Sequence, residues 1–130
     1  MGVGTDLSGA KLNNAILREA NLDGADLYQA SLDGADLYGA NLFGASLRDA
    51  KLIRAKLAGA ELYNADLTVA SLVEADLSGA SLVEANLIEA NLDGVDLTRA
   101  NLTRAKITKE QLEGAKSLKY AIMPDGTIHA

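Results

Sequence analysis

Apolar residues recur along this chain with a period of five. Leucine occupies every fifth position from Leu7 to Leu102, and Ile107 and Leu112 continue the series. Three residues after each leucine stands an alanine, from Ala10 to Ala105, with Val95 the one replacement. The resulting phrase, Ala-polar-Leu-x-x, is clearest in ADLTVASLVEADLSGASLVEANLIEA, residues 65–90. A period of five fits neither the helical repeat nor the strand repeat. On a helix, each step would rotate the leucine stripe by about 140° and smear it round the cylinder. The spacing inside the phrase resolves the conflict. Alanine and the next leucine are two residues apart, as inward side chains are on a strand. Leucine and the next alanine are three apart, and the extra residue must turn a corner. Each pentad is therefore expected to be one short extended edge and one tight turn. Regular turns between straight edges wind into a coil, with Leu and Ala inward and successive coils stacked through backbone hydrogen bonds. The expected class is all-β, with no helix before Thr108.

Pentads such as Ala25-Asp26-Leu27-Tyr28-Gln29 and Ala35-Asp36-Leu37-Tyr38-Gly39 resemble the pentapeptide-repeat family, and in style its cyanobacterial members. The resemblance implies a right-handed quadrilateral β-helix with four pentads per coil. Residues 5–104 would then form five coils, a rod of about 24 Å at the usual spacing between strands. At twenty residues per coil, positions i and i+20 stack. One outward ladder becomes Asp36, Lys56, Asp76 and Asp96, with the lysine between opposite charges; each exposed pair is worth at most about 1 kcal/mol. Another reads Lys11, Ser31, Lys51, Ser71 and Asn91. A third sets Phe43, Tyr63 and Val83 in one column, flanked by Asp23 and Thr103. Gly39, Gly59 and Gly79 stack at a corner, where a turn needs positive φ.

The register changes style at Thr108. Thr108 and Gln111 form a capping box, and the following residues predict a short helix over about 109–116. Lys116 and Lys119 suit the C-terminal end of its dipole. Tyr120, Ile122 and Met123 are expected to be buried, and Pro124-Asp125-Gly126 to turn. The helix would cover Leu87, Leu92, Leu97 and Leu102 of the last coil, and Val95 is expected to widen a corner there or to touch the cap. The chain is thus read as one domain over 1–130, with repeat coils at 5–107 and a capping helix and tail at 108–130. At the other end nothing amphipathic precedes Leu7. Leu7, Leu12, Leu17 and Leu22 are expected on an open side, with Ile16 an apolar residue where the phrase is polar, so this coil is expected to associate, either with a second copy as a homodimer or with a preceding segment.

Charge narrows the partners. The formal net charge is −6, from 12 basic and 18 acidic residues. The tail is balanced, so the rod carries the excess and repels nucleic acid. No cysteine is present, which excludes a disulfide framework and a thiolate zinc site. No signal peptide is seen: the N-terminus lacks a basic region, and it misses the myristoylation pattern because Asp6 stands where Ser or Thr is needed. Apolar runs are always interrupted, so no membrane span is expected and a cytoplasmic location is.

Residues for chemistry are sparse. Asp26, Asp36, Asp66, Glu74, Asp76, Glu84 and Asp96 all fall on convex surface, whereas a catalytic pair needs an enclosed site. His129, the only histidine, is read as part of a frayed tail and cannot assemble a triad or metal site. Asp23-Gly24 and Asp33-Gly34 sit inside ordinary pentads, with no complete calcium loop. The expectation is a non-enzymatic interaction module with no cofactor and no metal. Its partner would be a protein held by outward aromatics: Tyr28, Tyr38, Phe43 and Tyr63, with Val83. The family resemblance also implies an alternative, a DNA-mimicking modulator of type II topoisomerase (DNA gyrase), as in the quinolone-resistance branch. Lys51, Arg54, Lys56, Arg99 and Arg104 interrupt the acids that such mimicry would require.

Overall fold

The computed structural model describes residues 3–130. Each outward residue of a pentad forms a parallel β-bridge with the residue twenty positions on, from Asp6 with Asp26 through to Asn86 with Lys106. Four pentads therefore close one turn of a right-handed quadrilateral β-helix. Its four sides begin with Asp6, Lys11, Ile16 and Asn21.

Four backbone hydrogen bonds repeat along the coil, one of them from the corner residue before the alanine to the coil above, as Gly24 donates to the Phe43 carbonyl at 2.8 Å. The leucine N–H donates to the coil above, as Leu27 does to the Ser46 carbonyl at 2.7 Å. The polar residue's N–H donates to the coil below, as Ser46 does to the Ala25 carbonyl at 2.9 Å. Each corner closes on itself when the alanine N–H returns to the leucine carbonyl, Ala30 to Leu27 at 2.9 Å. The third residue of every such turn has positive φ, as in a type II turn. Glycine meets this need at Gly39, Gly59 and Gly79, as expected, but twelve coil corners hold other residues, including Val69 at φ 63°.

The Asp or Asn of the phrase serves the same corner. Its Oδ1 accepts the N–H two residues on: Asp26 from Tyr28 at 3.0 Å, Asn41 from Phe43 at 3.0 Å, Asp96 from Thr98 at 3.0 Å. On the side carrying Lys11, Ser31 and Lys51 no carboxamide or carboxylate stands there before Asn91, which accepts from the Asp93 N–H at 3.0 Å. Earlier on that side the coil below supplies it: Asn13 accepts from the Asp33 N–H at 3.1 Å, and Asp33 from the Ile53 N–H at 2.9 Å.

Inside, Leu and Ala from Leu22 to Leu102 form one continuous buried column, Val95 included. Among the described residues no polar or charged side chain is buried. The Lys56 ladder has the expected register, but the ion pairs are made by arginines and not by Lys56: Arg18–Asp36 at 3.1 Å, Arg54–Glu74 at 3.2 Å and Arg104–Glu84 at 3.0 Å.

The C-terminal end departs from plain helix and tail. Helix α1 spans Lys109–Glu113, three residues shorter than expected, and Lys116 and Lys119 lie beyond it. Its capping box is complete: Thr108 Oγ1 accepts from the Gln111 N–H at 3.2 Å, and Gln111 Oε1 from the Thr108 N–H at 2.8 Å. The ladder then resumes with one extra residue, pairing Asp96 with Ser117 and Asn101 with Ile122. An incomplete sixth coil results, in which α1 replaces one side. Its inward residue is Ala121, fully buried, whereas Tyr120, expected inside, is a left-handed outward corner and exposed. A hairpin closes the end: Met123 donates to Thr127 at 2.7 Å, Tyr120 to the His129 carbonyl at 2.8 Å, and His129 to the Ala121 carbonyl at 2.8 Å. His129 is therefore paired rather than frayed. Beneath this cap Leu87, Leu92, Leu97 and Leu102 are buried, and Val95 touches the cap through its carbonyl, which accepts from the Lys116 N–H at 2.7 Å.

Candidate functional site

The corner between the Asn21 and Asp6 sides carries the most organised outward chemistry. Phe43 and Tyr63 each follow an inward leucine, so the corner turn throws them outward one coil apart. Their rings stack with centroids 5.3 Å apart and planes within 2°. Offset or parallel aromatic contacts of this kind contribute about 0.5–1.5 kcal/mol beyond area burial. Both rings stay open to solvent, Phe43 at 46% and Tyr63 at 36%, while Val83 in the next coil above them is half-buried.

A polar chain extends the column. The Tyr63 hydroxyl hydrogen-bonds Glu84, and Arg104 Nε donates to Glu84 Oε2 at 3.0 Å. The bond to Glu84 raises the Tyr63 pKa above the ordinary phenol value, with the carboxylate's charge adding to it. The same bond, then that of Arg104, holds Glu84 below the usual carboxylate range. The sequence marks Glu84 only as a surface acid and Arg104 only as a cation among the acids, not as neighbours of this column. The i+20 register stacks them directly, and that register was the available signal.

The other two tyrosines do not join the column. Tyr28 lies at the corner between the Asp6 and Lys11 sides, and Tyr38 at the corner after the Ile16 side. Tyr38 is occupied within the molecule: the Arg18 guanidinium sits 4.5 Å above its ring and also pairs with Asp36. Of the five outward residues expected to hold a partner, Phe43, Tyr63 and Val83 share one column, with Glu84 and Arg104 beside it, and Tyr28 and Tyr38 lie at other corners.

Two further surface features lie away from this corner. A shallow apolar groove of about 340 Å³ lies between α1 and the terminal hairpin, lined by Leu112, Leu118, Met123 and His129. The first coil leaves Leu7, Leu12 and Leu17 half-exposed and Ile16 at 81% exposure, whereas Leu22, expected on that open side, is fully buried. Among the described residues no group of three or more His, Asp or Glu is placed to hold a metal ion, and no helix is long and apolar enough to cross a membrane.

The family model for pentapeptide repeats matches in eight copies, over residues 5–44, 45–82, 70–108 and 80–116. The chain is a pentapeptide-repeat protein. It is similar to HetL, a pentapeptide-repeat protein involved in heterocyst differentiation regulation in the cyanobacterium Nostoc sp. strain PCC 7120. The two are 33% identical over 97% of this chain and 77% of HetL, with a TM-score of 0.44. It is also similar to Rfr23 from the cyanobacterium Cyanothece 51142, at 33% identity over 75% of this chain and 86% of that one, with a TM-score of 0.52. QnrB1, a plasmid-mediated fluoroquinolone resistance protein, matches at 19% identity over 87% of this chain and 65% of its own, with a TM-score of 0.39. A comparison with functionally curated proteins finds no match. Pentapeptide-repeat proteins are in general structural modules rather than enzymes.

Proposed function

We propose that this protein is a non-catalytic binding rod, and that the Phe43–Tyr63–Val83 corner, with Glu84 and Arg104, is where it holds a protein partner. The supporting observation is the exposed, mutually stacked pair of rings fixed on a rigid corner. Rigid aromatics lose little conformational entropy on binding and dominate interface energetics. The Glu84–Arg104 pair in the coils above them offers a carboxylate and a guanidinium for orientation, so the fitting partner is a protein surface with an apolar pocket bordered by charge.

The test is a photo-crosslinking residue at position 43, compared with one at Gln29 on another corner, in a native extract. Crosslinked adducts at 43 that disappear with Tyr63→Asp support the reading. Equal labelling from both corners would overturn it. Mimicry of a nucleic-acid backbone fits less well, because Lys51, Arg54, Lys56, Arg99 and Arg104 break the acidic lines. The expected result of a gyrase supercoiling assay with the purified protein is no change.

A further inference from the structure

The two ends of the rod differ in kind. At the C-terminal end α1 and the hairpin cover the last coil. At the N-terminal end the first coil has nothing beneath its Asp6, Lys11 and Ile16 sides among the described residues. In the second coil and those above it, the polar residue's N–H donates to the carbonyl at the end of the pentad below, alanine in most and Thr5 for Asp26, and its own carbonyl accepts from the leucine below. For Lys11 and Ile16 neither bond exists. This is a strand edge with free donors and acceptors, the usual template for another chain, and Leu7, Leu12 and Leu17 remain half-exposed behind it.

We propose that this edge is taken up by the first coil of a second copy, in a closed two-fold dimer. The capped end has no complementary edge, so head-to-tail growth into a filament is blocked and only the isologous, self-complementary contact remains. A two-fold axis across the rod reverses the winding of the partner coil, so the facing strands run antiparallel.

The square cross-section allows four ways of facing, and charge selects one. An axis through the middle of the Asp6 side sets Asp6 against Asp6. An axis through the middle of the Lys11 side sets Lys11 against Lys11. Like charges directly opposite are destabilising. One diagonal sets Lys11 against Ile16. The other diagonal, through the corner at Ser8 and Gly9, sets Asp6 against Lys11 twice over, once in each direction. Asp6 keeps an oxygen for this contact, since only its Oδ1 is used by the Ser8 N–H at 3.0 Å and hydroxyl at 2.8 Å. In that register the half-exposed leucines of both copies close one continuous core.

The experiment is sedimentation equilibrium on the full chain, with Lys11→Glu and Asp6→Lys alone and mixed. Both substitutions suit the coil, because Lys51, Lys56, Lys106 and Glu61 occupy the same place in their pentads. Wild type is expected to dimerise in the micromolar range, and more weakly as salt is added. Each variant alone creates two like-charge pairs and should self-associate about tenfold more weakly. The equimolar mixture restores two opposite pairs and should form the heterodimer at near wild-type strength. Wild type that stays monomeric at high micromolar concentration would overturn the proposal. So would variants that dimerise as well as wild type, or Ile16→Lys abolishing a dimer that the charge variants leave untouched.

Discussion

At the level of single residues, the polar position of the pentad explains its own chemistry. It must point outward and also hand an acceptor to the N–H two residues on, which the corner leaves without a backbone partner. Asp and Asn both reach it; only Asp responds to pH. In Asp96 the Thr98 hydroxyl and N–H hold the carboxyl below its ordinary range, outweighing partial burial. A carboxyl lowered in the folded state adds stability that is present above its unfolded pKa and disappears as pH falls through the folded one. Melting temperatures are thus expected to be flat near neutrality and to drop in the acid range. Asp96→Asn should lessen that drop with little loss at neutral pH, since Asn101 already makes the same bond to Thr103 at 3.1 Å. Val69 is the clearest local misfit, because a β-branched side chain at φ 63° is strained. Val69→Asn relieves it and should raise stability by about 1 kcal/mol, measured by denaturant titration. These corners also mark a limit of the sequence. Glu, Arg and Val at left-handed positions give no local sign of positive φ; the period of five implies it, and the residues do not.

Among the elements, α1 is held by one side chain more than by its own length. Five residues are too few for a stable isolated helix. Gln111 ties it down: Oε1 completes the capping box, and Nε2 donates to the carbonyls of Leu87 at 2.6 Å and Ala90 at 2.9 Å. In every ordinary coil the alanine carbonyl is taken by the backbone N–H twenty-one residues on. Here that N–H is turned inward to Thr108, and the side-chain amide of the same residue takes its place. Gln111→Glu keeps the acceptor for Thr108 and removes the donor, leaving the Ala90 carbonyl unsatisfied at a cost of about 1–3 kcal/mol. Amide exchange should quicken over residues 109–124 while coils two to four hold their rates. The capping box was legible from Thr108 and Gln111 alone. The resumed coil at 117–124 was not, because the helix adds a residue: Ser117-Leu118-Lys119-Tyr120-Ala121 keeps the polar-Leu-x-x-Ala phrase but stands one residue out of the series. Tyr120 was misread for the same reason: aromatic character suggested burial, and the shifted register assigns the inward place to Ala121.

For the whole molecule, the stack makes stability depend on position. Each coil touches only its neighbours, so the free energy is a sum of coil terms and interface terms. Leu57 is buried in the third coil, with leucines of the coils on both sides. Leu57→Ala empties a space shared by two interfaces and should cost roughly 2–5 kcal/mol. Leu12 has a coil on one side only and is half-exposed, so Leu12→Ala removes less buried area and should cost about 1 kcal/mol. The two losses should also spread differently. Opening at Leu57 divides the rod into halves of two coils each, neither with enough core to stand alone, so amide protection is expected to fall throughout the described coils. Opening at Leu12 frays the end, so the amides of Leu7, Ala10 and Leu12 should exchange faster while those of Leu47 to Leu77 are unchanged. Amide exchange read residue by residue, at a concentration where the chain is monomeric, separates these outcomes. Uniform loss from both variants would mean that the rod opens as one unit, and a neighbour-only account of its stability would then be wrong.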